Sequence, residues 1–417
     1  MSWLVHPRWI AATYWASFVI LSLTLYPRSF LDGHSILLIG GYVTVFTGGV
    51  VSATLHSPKT GARRVNTTPS GERHLRPMPI VGIVLLGSAG NVLAILSALR
   101  SNHLSVLEVL TLQGLLQSAN AISVDRYSGS PQGGSALPAL LLGLGYTAAI
   151  VAPFVKATSA RFKKLLISLP VGSALLYSSV STARLGFLTA ATLTTGSIIA
   201  CTVYQTGRIP MIGFKAFVTW TLAFALAGGA FVGIGLLRTG STDRATMAVV
   251  LNKQVSYTLG GGGAFANWYD AGGSSGPLGL GTASIAGVEY LTGQNRAATR
   301  SYNEFVTIDS DGNQSNIFTA FRGLIMDFGL VGGVGVMAAL GFAFGRAYRA
   351  ASRGSIRAAA VLAFAYGTLL LSAWLATTTF TNVLAAAFLA PLILTIAARK
   401  AKLAAQTPRV MVEHVGT

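Results

Sequence analysis

Ten stretches of this chain are apolar over about 18 to 28 residues, the length that crosses the hydrocarbon core of a bilayer. They run from Trp9 to Tyr26, Ser35 to Leu55, Pro79 to Leu99, Ala136 to Phe154, Leu165 to Thr182, Leu185 to Tyr204, Ile212 to Leu237, Ile317 to Phe344, Ala358 to Ala376 and Phe380 to Ala398. Such segments can satisfy their backbone groups in lipid only as helices or as a closed barrel, and runs this long predict helices. Only 10% of the 417 residues are charged and 52% are hydrophobic, against roughly 25% charged for a soluble domain. The expectation is an all-α integral membrane protein of about ten transmembrane helices. Cys201 is the single cysteine, so neither a disulfide framework nor a cysteine metal site is available.

A net charge of +18 would suggest nucleic acid if the basic residues formed one soluble patch. Threading the helices with the N-terminus in the cytoplasm distributes them differently. Arg8, the Lys59 to Arg76 loop, the Lys156 to Lys164 cluster, Arg208 with Lys215, Arg346 to Arg357 and Arg399 to Arg409 all fall inside, with Glu72 and Glu413 the acids there. The outer side then carries 10 basic and 10 acidic residues, so the whole excess is cytoplasmic. The positive-inside rule predicts both termini in the cytoplasm and no nucleic-acid partner.

That rule also decides Ser101 to Val124, whose apolar residues are interrupted by Glu108, Gln113, Gln117 and Asn120. If this segment spanned, Lys156 to Lys164 would face outward, so it is expected to lie at or dip into the outer interface. No small-residue cleavage site follows the first apolar run, and that helix is expected to be retained. The organisation expected is residues 1–237 as helices one to seven with the interfacial segment at 101–124, 238–316 as one long extracytoplasmic loop between helices seven and eight, 317–398 as helices eight to ten, and 399–417 as a cytoplasmic tail. The long loop is glycine-rich but also holds Asn267-Trp268-Tyr269-Asp270 and Tyr302-Asn303-Glu304. Its aromatics and mixed charges favour an ordered lid with short helices over a linker.

Several chemistries find no footing. No phosphate-binding Gly-x-x-x-x-Gly-Lys-Ser/Thr loop occurs. The histidines, His6, His34, His56, His74, His103 and His414, are scattered along the sequence, and no metal site is expected. Asp309-Ser310-Asp311 has the outline of a metal-binding pair, but Gly312 and Asn313 follow it, and a turn is favoured.

The informative stretch opens helix eight. On a helix of 100° per residue, Asn316, Thr319, Gly323, Met326 and Asp327 share an arc of about 100°, which Arg322 extends to about 140°. Phe318, Phe321, Ile325 and Phe328 fall on the other side, suited to lipid or packing. A charge within an apolar span costs on the order of 3 kcal/mol, so Arg322 and Asp327 are expected to face a wet or protein-lined cavity. Arg184 stands at the tight hairpin between helices five and six, either as a functional group or as an interfacial anchor. Arg126 with Tyr127 follows the interfacial segment and could equally be a surface pair. A guanidinium offers phosphate oxygens a planar fork. Apart from Lys253, every basic residue assigned to the outer side is an arginine.

The Asn-x-x-Thr-x-x-Arg-x-x-x-x-Asp-Phe-Gly pattern from Asn316 to Gly329 resembles the signature of bacterial oligosaccharide repeat-unit polymerases, the O-antigen polymerase or Wzy type. The Thr-x-Arg-x-Gly step at Thr182 to Gly186 resembles that family's other arginine-bearing segment. The resemblance implies a GT-C-like membrane glycosyltransferase in the bacterial cytoplasmic membrane, with its active site facing the periplasm or exterior. It would transfer a growing glycan from undecaprenyl pyrophosphate to the distal hydroxyl of a lipid-linked repeat unit, with no cofactor. Arg322 and Arg184 would stabilise the departing pyrophosphate, and Arg126, Tyr127, Asn316, Thr319, Asp327 and Arg300 would contact substrate. Partners implied are the lipid-linked oligosaccharide as donor and acceptor, the bilayer, and a chain-length regulator and a flippase. The acceptor's base is left open among Asp327, Asp270, Glu289, Glu304 and Asp309. A glycan ligase is the near alternative, though ligases resembling this layout carry a histidine in the long outer loop and 238–316 has none. A secondary transporter is the distant alternative, and such proteins usually show paired interrupted helices or mid-membrane acids.

Overall fold

The computed structural model describes residues 6–55, 75–127, 136–155, 159–207, 214–240, 243–292 and 304–406. It is helical throughout apart from one short hairpin. The helices are α1 (Pro7–Leu25), α2 (Gly33–Leu55), α3 (Pro77–Ser101), α4 (Leu112–Tyr127), α5 (Ala136–Val151), α6 (Ala160–Ser181), α7 (Arg184–Thr206) and α8 (Phe214–Thr239), then α9 (Arg244–Leu259), α10 (Gly261–Asp270), α11 (Val288–Thr292), α12 (Ala320–Ser352), α13 (Ile356–Leu369) and α14 (Thr381–Gln406). Among the described residues, seven are long and apolar enough to cross a membrane: α1, α2, α3, α6, α7, α12 and α14. Shorter apolar helices cover Leu140–Phe154 and Ile356–Leu369.

Helix starts follow local chemistry. Pro7 and Pro77 occupy first-turn positions of α1 and α3, where a missing N–H costs nothing. Ser159 caps α6 by accepting from the Phe162 amide at 3.2 Å, and Asp243 caps α9 by accepting from the Thr246 amide at 2.8 Å.

Glycines set the closest helix contacts. A Cβ at Gly341 of α12 would stand 2.0 Å from the Phe46 carbonyl oxygen of α2, and one at Gly49 would stand 2.3 Å from that of Ala338. Only hydrogen fits at either position, which is the small-residue packing that holds helices together where no hydrophobic effect drives them. Gly87 and Gly90 of α3 likewise approach Leu144 and Leu141 of α5. That inverse order makes α3 and α5 antiparallel, so the chain between them leaves and returns at the same end of the bundle. There α4 packs over the helix ends, with Ile122 clustered against Leu99 of α3 and Val180 of α6.

The described parts of 238–316 gather at that same end. Tyr26 and Phe30, after α1, bond to Asp309 and Ile308; Arg184, opening α7, bonds to Gln254; Trp374 and Thr378, after α13, bond to Thr258, Ser284 and Ala286. The segment contains α9, α10, α11 and a hairpin of β1 (Val306–Thr307) and β2 (Gln314–Ser315), with Val306 opposite Ser315.

Two boundaries differ from the sequence expectation. The apolar run to Ala376 leaves the helix at Leu369, and residues 370–380 form turns whose carbonyls serve the neighbouring elements: Ser372 accepts from Ala320 and Thr378 from Ala286. The helix expected from Ile317 begins at Ala320 and is broken at Gly329 (φ 67°, ψ 179°). Asn316 and Thr319 therefore do not share a helical arc with Gly323 and Met326. Nor do Phe318, Phe321 and Ile325 face lipid, since all three are buried. Periodicity could not reveal this, because Ile317 and Phe318, which precede the helix, are as apolar as the residues within it.

Candidate functional site

Arg322 lies in the first turn of α12, whose start is fixed from both sides. Thr319 is the cap residue, its carbonyl accepting from the Arg322 amide at 3.2 Å, while Ala320 donates to Ser372 at 2.8 Å. The Arg322 side chain is buried, the residue 2% exposed, and it forms an ion pair with Glu304. The Phe318 ring centroid stands 3.7 Å from the guanidinium carbon and that of Trp268 stands 5.3 Å away. Desolvated contacts of this kind are worth about 2 kcal/mol or more. The Thr319 hydroxyl beside it is buried and has no hydrogen-bond partner among the described residues. A buried guanidinium, a hydroxyl with no hydrogen-bond partner among the described residues and the positive end of a helix dipole thus all belong to the start of α12, a combination that suits an anion.

Arg184 opens α7. The chain reverses after Ser181 through Thr182 in the left-handed region (φ 54°, ψ 14°), and the Ser178 hydroxyl accepts from the Phe187 amide at 2.9 Å across the turn. From there Arg184 reaches α9, donating to Gln254 Oε1 at 2.6 Å, with the Phe231 and Tyr257 rings at 4.8 and 5.7 Å. A Cβ at Gly235 would collide with both Gln254 Nε2 and Arg184 Nη2, so a glycine on α8 makes room for the pair. Arg184 and Arg322 thus contact the two helices of one unit, α9 and α10.

Asp327 points elsewhere. It is fully buried, its Oδ1 accepting from the Ala283 amide at 2.9 Å and its Oδ2 from the Ser284 amide at 2.8 Å and from the Ser284 hydroxyl. The carbonyls of Met326 and Asp327, which the break at Gly329 deprives of helical donors, accept instead from Gly279 and Leu280 at 3.0 Å. Asp327 and the kink together therefore hold the 279–284 loop. Asn316 is half-buried between β2 and α12. Arg126 and Tyr127 end α4, with side chains outside the described residues, and Arg300 lies outside them altogether.

Of the five acids open as a base, Glu304 is the one paired with Arg322. Glu289 is buried and accepts from the Gly287 amide at 2.9 Å. Asp309 forms the expected turn: it accepts from Asp311 N at 3.0 Å, Asn313 N at 2.9 Å, Asn313 Nδ2 at 2.7 Å and the Tyr26 hydroxyl. Burial pushes its carboxyl up, but these donors outweigh it and hold the group below the usual carboxylate range. Asp311 pairs with Arg28. Asp270 meets Asp32 and His34, one ligand atom of each lying within 4.8 Å of the others, all three exposed. The histidines are scattered in sequence, and the fold alone brings His34 to two acids. Asp32 also accepts from the Ser35 amide at 2.8 Å.

A cavity of about 340 Å³ opens between α9 and the hairpin, lined in part by Lys253, Tyr257, Phe305, Asn313, Gln314 and Ser315. Neither arginine lines it, though Tyr257 also faces Arg184 and Phe305 follows Glu304 in the chain. Sequence reading found the two arginines and missed what surrounds them. Gln254 and Tyr257, three apart on α9, and Trp268 on α10 carried a faint signal, as polar and aromatic residues on one helix face. No family model, curated protein or solved structure matches this chain.

Proposed function

We propose that this chain is a membrane glycosyltransferase of the oligosaccharide repeat-unit polymerase kind, working on undecaprenyl-pyrophosphate-linked glycans at the outer face of the bacterial cytoplasmic membrane. The observation that carries this reading is Arg322, a guanidinium buried beside the first turn of α12 and covered by Trp268 and Glu304 of the 238–316 segment. Charges inside apolar bundles are seldom idle, and this one stands where a lipid-borne anion could reach it from the bundle's capped end.

In this reading the distal hydroxyl of one lipid-linked repeat attacks the anomeric carbon of the donor glycan. The bond from that carbon to the pyrophosphate oxygen breaks, and lipid pyrophosphate departs with its electrons. Pyrophosphate is a weak base and needs no proton; its growing charge is stabilised by Arg322, the Thr319 hydroxyl and the α12 dipole, with Arg184 on the second phosphate or the acceptor lipid. As pyrophosphate engages Arg322, Glu304 is released to accept the hydroxyl proton. The activated donor supplies the energy, so neither nucleotide nor redox cofactor is called for. Asp327 acts at one remove, through the loop it holds.

The reading is tested by deleting the gene and resolving surface glycans on a gel. Loss of polymerase leaves a single repeat unit capped on the final acceptor. Accumulation of free lipid-linked polymer instead would make the protein a ligase, and an unchanged ladder would remove it from this chemistry.

A further inference from the structure

The cavity between α9 and the hairpin has a composition that the pyrophosphate chemistry does not use. At about 340 Å³ it falls within the range of small-molecule sites, roughly 300 to 1,000 Å³. Tyr257 from α9 and Phe305, just before β1, supply two aromatic side chains, and Phe305 is 50% exposed. Asn313, Gln314 and Ser315 add amide and hydroxyl groups. Aromatic faces for C–H surfaces, interleaved with amides for hydroxyls, are what a pyranose ring requires, since each sugar presents both kinds of surface.

The charge at the cavity is one-signed. Lys253 lines it, and among the described residues Lys253 forms no ion pair and no carboxylate lines the cavity. The nearby acids are engaged elsewhere, Asp309 by its donors inside the turn, Asp311 by Arg28 and Glu304 by Arg322. Lys253 is solvated when the cavity is empty; an anionic substituent on the sugar would gain a charge-assisted contact with it that a neutral sugar cannot make, and a bare phosphate would leave the aromatic surfaces unused. We infer that this cavity is a subsite for an acidic pyranose, a sugar carrying a carboxylate or an equivalent anionic substituent, within the lipid-linked glycan. The inference rests on the transferase reading for its source of ligand, and its test does not.

Saturation-transfer NMR on the full-length protein in detergent would use methyl β-D-glucuronide, methyl β-D-glucoside and inorganic pyrophosphate as probes. The glucuronide should bind saturably and at least about tenfold more tightly than the glucoside, the increment of one charge-assisted contact. Lys253 is exposed, so Lys253→Met leaves the fold intact and should abolish the preference. Phe305→Ala should weaken both sugars by about tenfold, and pyrophosphate should not displace the glucuronide. Equal binding of the two glycosides, an unchanged preference in Lys253→Met, or displacement by pyrophosphate at similar concentration overturns the inference. Failure here beside an active polymerase removes the subsite alone; glucuronide binding beside an inactive polymerase leaves the subsite and removes the transferase reading.

Discussion

At the residue scale the account rests on geometry more than on charge. Arg322 lies against Phe318 and pairs with Glu304, and in the proposed reaction its guanidinium would offer phosphate a planar fork that a point charge cannot. Arg322→Lys should therefore be nearly as inactive as Arg322→Ala, both about 100- to 1,000-fold slower, in line with removal of one oxyanion donor. Both should keep wild-type monodispersity, since Arg322→Ala removes the insertion cost of a charge and Arg322→Lys leaves that cost unchanged. Glu304→Gln separates base from tether: it should cut kcat by about 100-fold or more with little change in KM, whereas a mere tether would leave kcat within a few fold. Arg322 and Arg184 were legible in the sequence as lone charges at apolar boundaries. Glu304 was legible only as one of five acids left open, because its approach to Arg322 depends on the β1–β2 hairpin folding the chain back over 18 positions.

At the scale of elements, the break in α12 and the loop it holds form one device. Gly329 occupies a region of backbone space that is essentially closed to other residues, at a cost of about 1–3 kcal/mol each. Gly329→Ala should lower thermal stability and speed amide exchange at Gly279, Leu280, Ala283 and Ser284. Asp327→Asn should do the same, since an amide nitrogen facing backbone N–H groups orphans a donor at about 1–3 kcal/mol; unchanged exchange in both variants would detach the loop from α12. The hairpin has its own pH dependence. The folded pKa of Asp309 lies below its unfolded value of about 4. Its contribution is thus complete above about pH 4 and lost as pH falls through the lower folded value. Protection within 304–316, corrected for the intrinsic pH dependence of amide exchange, should fall on going from pH 6 to pH 3, and Asp309→Asn should flatten that response. The turn was legible because Asp and Asn carry turn chemistry in their side chains and glycine readily takes the positive φ that Gly312 adopts. The kink was not, since an isolated glycine in an apolar run reads the same whether the helix continues or breaks.

For the whole molecule, the apolar runs located the helices, because 20-residue apolar stretches leave few alternatives. What they could not carry is which helix touches which, set by glycines such as Gly49 and Gly341 whose role depends on the facing helix. The antiparallel α3 and α5 agree with the charge argument that 101–124 does not span. Reporter fusions after Thr60, Ala160 and Gly354 should therefore report cytoplasm, and those after Ser128 and Gly273 the exterior; an exterior signal at Ala160 would undo the proposed orientation. Activity should persist in excess chelator, and strict dependence on a divalent ion would point to Asp32, His34 and Asp270. The most direct test of the central claim is polymerisation by the purified protein in lipid, given only undecaprenyl-pyrophosphate-linked repeat units of the source glycan. The account predicts a ladder of lipid-linked products with release of undecaprenyl pyrophosphate, lost together in Arg322→Lys. Persistence of single repeats with wild-type protein, or a full ladder with Arg322→Lys, would contradict it.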